Sequence, residues 1–224
     1  MRLLFIGDVV GKPGRKIVQT GVPRLIEEHQ LDLVVANAEN AAGGSGLTPK
    51  IYKELIAAGV DAVTLGDHVY RRKEIVPTLE SQSNIVRPAN LPPEAPGREW
   101  AAVSARNGVV VGIACLPGQL FMTPIVNPWR AAANRDLRIA CHRAAVLGTH
   151  THVPTADEEI LPGETAFQCD VGMTGPYKSI LGRRIDRVME TTLTANPTQF
   201  DVAAEDVRLS GSVVEVDPET GRAT

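Results

Sequence analysis

The stretch LGTHTHV, Leu147–Val153, places two histidines two residues apart, just past the apolar run Ala144–Leu147. In an extended chain residues i and i+2 point to the same face, so His150 and His152 could converge on one point. Histidine is the commonest metal ligand, yet two polar residues closing a strand would look the same. Other donors decide between these readings, because they recur in equivalent places. Asp8 follows the apolar run Leu3–Ile6, Glu39 and Asn40 follow Leu31–Ala36, and Asp67 and His68 follow Asp61–Leu65. Singly, each has an ordinary reading: a cap at Asp8, solvated loop residues at Glu39 and Asn40, a turn residue at His68. Together, at successive strand ends, they point to one site, since ligands of open α/β sheets bind at the carboxyl edge. Carboxylates crowded at that edge would repel and shift one another's pKa. A cation resolves the repulsion, and histidine supplies the nitrogen ligands that transition metals favour. Mixed Asp, Glu, Asn and His donors with a shared carboxylate are the pattern of a two-metal hydrolytic site.

The elements that must position these donors follow from hydrophobic spacing. Strands are predicted at Leu3–Ile6, Leu31–Ala36, Asp61–Leu65 and Asn84–Val86. Between them a helix is predicted over Gly14–Glu28, with Pro23 bending or splitting it. A second helix runs to about Ala58, with Thr48 as N-cap and Pro49 at its first position, and a third lies near Arg72–Glu80. Alternating strand and helix implies a mostly parallel sheet. The second half reads differently. Trp100–Val103 and Val109–Cys115 flank the turn Arg106-Asn107-Gly108, a hairpin signal. Ala144–Leu147, Ala166–Cys169, Phe200–Ala204 and Arg208–Val216 are further predicted strands with fewer helices between them. A two-sheet sandwich with helices outside fits this better than one doubly wound sheet.

Composition narrows the function. The 224 residues are 43% hydrophobic and 22% charged, ordinary for a globular protein and sufficient for one domain spanning 1–224. A net charge of −3 without a basic block argues against long nucleic acid as partner, though not against a single nucleotide. Three dispersed cysteines, with no CxxC, give no disulfide framework and suit a reducing compartment. MRLLFIGDVVG lacks the features of a signal peptide, and no apolar run approaches a membrane span, so a cytoplasmic location without a membrane partner is expected. The loop AAGGSG could approach a phosphate or be a flexible turn; no GK[ST] follows, so it is not a P-loop. Pro88–Pro92 and Thr174–Tyr177 read as rigid loops, with a part in shaping the site or a subunit interface as the alternative, and Lys178, Arg183 and Arg184 as solvated charges rather than phosphate contacts.

MRLLFIGDVVGKPGR, NAENAAGGSGLT, LGDHVY, VRPANLP, LGTHTHVPTAD and DVGMTGPYKSILG, in this order and over nearly the whole chain, resemble the YmdB-type metallophosphoesterases, a 2′,3′-cyclic-nucleotide 2′-phosphodiesterase group. The resemblance implies an α/β fold, a metallophosphoesterase-like four-layer α-β-β-α sandwich of two mixed sheets with helices outside. It implies two divalent or trivalent metal ions, with iron favoured and manganese or zinc as alternatives. By motif, Asp8, Asn40 and His152 would bind the first metal, Asp67 and His150 the second, and Glu39 both. His68 would be the general acid or base. Metal-activated hydroxide would attack phosphorus, His68 would protonate the departing 2′-oxygen, and a 3′-nucleotide would result. The implied partners are a small cyclic nucleotide or other phosphodiester and further copies of the chain in a homo-oligomer.

Two departures stand against the family pattern. The family usually reads GNH where this chain reads GDH, which adds the charge of Asp67. A DFHAEATSEK-like segment, whose histidine binds the second metal, is missing from Trp129–Leu147, an interval about 25 residues too short. His142 is the only histidine there and lacks the motif. The chain also stops somewhat early for the family. A weak or inactive member serving as a regulatory module or assembly subunit is therefore the competing expectation.

Overall fold

The structure is a computed structural model that describes residues 1–119, 126–127 and 144–224. Its largest sheet has the order β12-β1-β2-β3-β4. Strands β1 (Arg2–Ile6), β2 (Leu33–Asn37), β3 (Ala62–Thr64) and β4 (Ile85–Val86) run parallel, and β12 (Gly211–Glu215) lies antiparallel to β1. Near-continuous apolar runs are what a parallel sheet covered on both faces requires, and β2 and β3 are buried throughout. On one face Leu4, Ile6, Val34, Ala36 and Val63 pack against helices α1 (Gly11–His29), α2 (Pro49–Ala57) and α3 (Val76–Ser81) through Val18, Val22, Ile51, Leu55 and Leu79. On the other, Phe5, Leu33, Val35 and Ala62 meet Val103, Val111, Ile113 and Leu147. Those residues belong to the hairpin β5 (Trp100–Ser104)–β6 (Val110–Ala114) and to β7 (Ala145–Leu147). β7 continues into a three-stranded sheet in the order β7-β9-β8, with β8 at Glu159–Leu161 and β9 at Thr165–Gln168. The protein is thus an α/β fold of several sheets and few helices, as expected.

Local chemistry explains where the elements begin and where expectation failed. The Thr48 hydroxyl accepts the Ile51 N–H at 3.2 Å, and Pro49 occupies the first turn of α2, as its sequence predicts. Pro23 neither splits nor ends α1. It is exposed, as is Gln19 one turn earlier, so a carbonyl deprived of its helical partner there can turn to water. The predicted helix at Arg72–Glu80 is a 3-10 turn, Lys73–Ile75, followed by the short α3, with Pro77 at its start. Phe200–Ala204 forms no strand; only Val202 makes a bridge, to Arg183. Arg208–Val216 is two strands, β11 (Val207–Arg208) and β12, because Ser210 between them turns aside to hydrogen-bond Thr174, Val171 and Gly7. Strands β8 and β10 (Gly175–Pro176) and helix α4 (Ile185–Thr194) have no counterpart in the sequence reading. Among the described residues no helix is long and apolar enough to cross a membrane.

Candidate metal centre

The loops after β1, β2, β3 and β7 meet at one edge. Asp8, at 1% exposure, lies between two of them. Asn40 Nδ2 donates to Asp8 Oδ1 at 2.8 Å, and His152 Nε2 lies 3.1 Å from Asp8 Oδ2. The other ring nitrogen, His152 Nδ1, donates to the Leu181 carbonyl at 3.1 Å, which turns Nε2 toward Asp8. Burial alone would lower the His152 pKa; the hydrogen bond and charge of Asp8 outweigh it, and the net shift is upward. Two donors about 2.1 Å from a shared cation and at right angles lie about 3 Å apart. The Asp8–His152 spacing is therefore one that two ligands of a shared cation also show, once the proton between them has left.

Beside this trio stands a second group. Glu39, Asp67 and His68 each offer a ligand atom, all within 4.8 Å of one another. Glu39 is 3% exposed. Burial, then the charge of Asp8 and the hydrogen bond that the protonated carboxyl gives to Asp67, pushes its pKa up to about 9. Close approach is possible because residue 66 is glycine: a Cβ there would fall on the Glu39 carboxylate, 2.5 Å from Oε2. The His68 backbone N–H donates to Glu39 Oε2 at 3.2 Å. His68 Nδ1 lies 2.9 Å from Asn40 Oδ1, an acceptor, so Nδ1 carries the proton and Nε2 faces Asp67 Oδ2 at 3.6 Å. Burial lowers the His68 pKa; Asp67 opposes this, and Arg71 and Arg183 add to it.

Of the seven predicted residues, Asp8, Asn40 and His152 are joined by hydrogen bonds, and Glu39, Asp67 and His68 form the adjoining cluster. His150 differs. It is exposed, and among the described residues only its backbone N–H is engaged, donating to Asp170. The two histidines do not stand on one face of an extended strand, because β7 ends at Leu147 and His152 sits at φ +65°. His142 and Cys141 lie outside the described residues.

Three supports escaped the sequence reading. Asp170, 2% exposed, accepts the N–H groups of His150 and Thr151 and the Thr151 hydroxyl on Oδ2, and the Gly172 N–H on Oδ1. Thr149 Oγ1 accepts the Asp8 N–H at 3.1 Å. Arg183, expected to be a solvated charge, is half-buried and donates to the carbonyls of Gly43, Gly44 and Phe200. Lys178 and Arg184 do pair on the surface, with Glu205 and Asp186. The signal that found the other donors, a polar residue just past a strand end, also applies to Asp170, which follows β9. The rigid loop at Pro88 is held from within: Arg87, 1% exposed, donates to the carbonyls of Pro88, Ala95 and Gly97.

The fold and the edge cluster define an α/β protein with a carboxylate–histidine centre suited to cations. Residues 4–142 and 137–224 match the model of the YmdB-like protein family, and the chain belongs to that family. It is 40% identical to the 2′,3′-cyclic-nucleotide 2′-phosphodiesterase of Bacillus subtilis, over 100% of this chain and 94% of that protein. A solved structure described as a novel phosphatase, from Mycoplasma pneumoniae, superimposes with a TM-score of 0.91 at 29% identity, covering 100% of this chain and 90% of that one. A hypothetical protein from Thermus thermophilus gives a TM-score of 0.89 at 37% identity, covering 100% of this chain and 96% of that one. The family match comes in two pieces that meet at residues 137–142. The Bacillus alignment runs over 249 residues where this chain has 224, so about 25 of its positions have no counterpart here.

Proposed function

We propose that this protein is a dinuclear metal-dependent phosphodiesterase that hydrolyses 2′,3′-cyclic nucleotides to 3′-nucleotides. The observation that carries this reading is Glu39, a buried carboxyl between Asp8 and Asp67 with its pKa pushed up to about 9. Such a group is an anion at neutral pH only when a cation compensates it. Asp8, Asn40 and His152 would hold one metal, Asp67 and His150 a second, and Glu39 both. Iron is the favoured occupant, with manganese or zinc as alternatives. When bound, the metals supply Lewis acidity toward the phosphate and lower the pKa of the attacking water.

The remaining work falls to the chain's own groups. Asn40 fixes the His68 ring by accepting its Nδ1–H, which leaves Nε2 as the atom that exchanges a proton with the leaving 2′-oxygen. Asp67, 3.6 Å from Nε2, raises the affinity of that nitrogen for its proton against the effect of burial. General acid catalysis of this kind contributes about 10²–10⁴-fold. A second reading, a binding module that has lost its second metal, is favoured by the 25 unmatched positions and by the exposed His150.

Metal content per chain, measured with hydrolysis of 2′,3′-cyclic AMP with and without added manganese, separates the two. About two metals per chain and a 3′-AMP product are expected. One metal or none, with no hydrolysis under manganese, would leave the binding module as the surviving reading.

A further inference from the structure

Two segments far apart in sequence build the half of the site around Asp8. One is the glycine-rich loop that follows Glu39 and Asn40. Its inner end is fixed: the Gly11 N–H donates to the Asn40 carbonyl at 3.0 Å, and Arg15 Nη1 to the Ala41 carbonyl at 2.6 Å. Its outer end, Gly43 and Gly44 at φ +66° and +84°, has no such backbone tie among the described residues. The other segment is the tight turn Ile180–Arg183. Leu181 and Gly182 stand at φ +50° and +86°, and Ile180 and Arg183 exchange both backbone hydrogen bonds at 2.9 Å. This turn presents the Leu181 carbonyl that orients His152.

One side chain spans the two. Arg183 Nη1 donates to the Gly43 carbonyl at 3.1 Å and the Phe200 carbonyl at 2.9 Å, and Nη2 donates to the Gly44 carbonyl. A Cβ on Gly44 would occupy the guanidinium's place. The planar fork of arginine suits several fixed acceptors at once, whereas lysine offers one flexible point charge. Phe200 lies beyond α4, so the same guanidinium also draws in the returning chain.

We propose that Arg183 is a positioning residue: it clamps the Leu181 turn to the Gly43–Gly44 loop and so holds His152 at the spacing from Asp8 that a cation needs. Its hydrogen bonds go to backbone carbonyls rather than to Asp8 or His152, so it acts through the segments that carry their partners. The inference rests on the metal reading of the site, but its test is independent of substrate.

The experiment titrates manganese into metal-free wild type, Arg183→Gln, Arg183→Lys, Gly44→Ala and the Arg183→Gln/Gly44→Ala double variant, beside their metal-free melting temperatures. Arg183→Gln is expected to weaken manganese binding about 10–100-fold, the range for groups that orient metal ligands. The lysine variant should fall between it and wild type, and the double variant should lose less than the two single losses added, because its Cβ no longer meets the guanidinium and only the backbone strain at φ +84° remains. Unchanged affinity in Arg183→Gln, or fully additive losses in the double variant, overturns the proposal whatever the melting temperatures do. Wild type that binds manganese tightly without cleaving 2′,3′-cyclic AMP would sink the substrate reading and leave this one standing. If wild type binds no manganese, amide exchange in the metal-free proteins decides. Exchange should quicken together in residues 41–46 and 149–153 of Arg183→Gln, and quickening in one segment alone overturns the clamp.

Discussion

Asp8, Asn40 and His152 are tied to one another by direct hydrogen bonds, whereas Glu39 and Asp67 meet as two acids and His150 stays exposed. The first trio is satisfied before any cation arrives: each carboxylate oxygen of Asp8 has a donor, and His152 is held at both ring nitrogens. The second group is satisfied only by taking up a proton, which burial and Asp8 drive onto Glu39. Preorganisation of ligands by second partners is what makes a metal site selective and tight. Metal uptake should therefore begin on the Asp8 side. A cation displaces a proton on either side, from His152 Nε2 or from Glu39, and the Glu39 proton, held up to about 9, should carry the pH dependence of its side to higher pH.

The largest effect should separate the two groups at His68, which touches both. His68→Ala is expected to lower kcat by about 10²–10⁴-fold with metal content intact. Loss of metal instead would make His68 a ligand of the Glu39–Asp67 side and erase the distinction. Asp170 stands behind the loop that carries both histidines, since one oxygen accepts the N–H groups of His150 and Thr151. Asp170→Asn turns an acceptor into a donor against those groups. Manganese affinity is expected to drop about 10–100-fold, and an isotherm matching wild type would show that the loop holds its shape without the carboxylate.

A smaller effect concerns the metal-free protein. Glu39 rises from 4.5 to about 9 on folding, so the folded state binds that proton more tightly than the unfolded state does. The resulting stability is complete below about 4.5 and is lost as pH climbs through about 9. Glu39→Gln lacks this dependence. At pH 9 the metal-free variant should melt a few degrees above metal-free wild type, at about 2–4 °C per kcal/mol for a chain of this size, and near pH 4 the two should match. Equal melting at both pH values would mean that Glu39 is not buried among acids in solution.

The parallel half of the fold and its donors were legible because each apolar run, Leu3–Ile6, Leu31–Ala36 and Asp61–Leu65, ends in a charged or amide residue at the same sheet edge. His150 and His152 were legible as residues but not as a geometry. Same-face spacing assumes an extended chain, and His152 has a left-handed backbone. The clamps were not legible for a different reason: Leu181 and Gly43 act through backbone carbonyls, which leave no trace in residue type. Helix α4 was legible and missed: Ile185, Val188 and Met189 repeat at i, i+3 and i+4, the spacing of an amphipathic helix.

Asp67→Asn gives the smallest and most discriminating change, because it removes one charge and keeps the shape of the side chain. Asp67 raises Glu39 both through a shared hydrogen bond and through its charge. Burial and Asp8 remain after the substitution, so the Glu39 pKa should fall but stay above its ordinary value. Metal uptake, which competes with that proton, should then reach half-saturation at lower pH. The same change removes the charge that holds the proton on His68. Activity that needs protonated His68 should consequently fade at lower pH on the alkaline side. Both curves move in one direction for two separate reasons, readable as manganese affinity against pH and kcat against pH. Movement of the kcat limb alone would place Asp67 beside His68 but not beside Glu39, and the Glu39–Asp67 side would then be no cluster of acids at all.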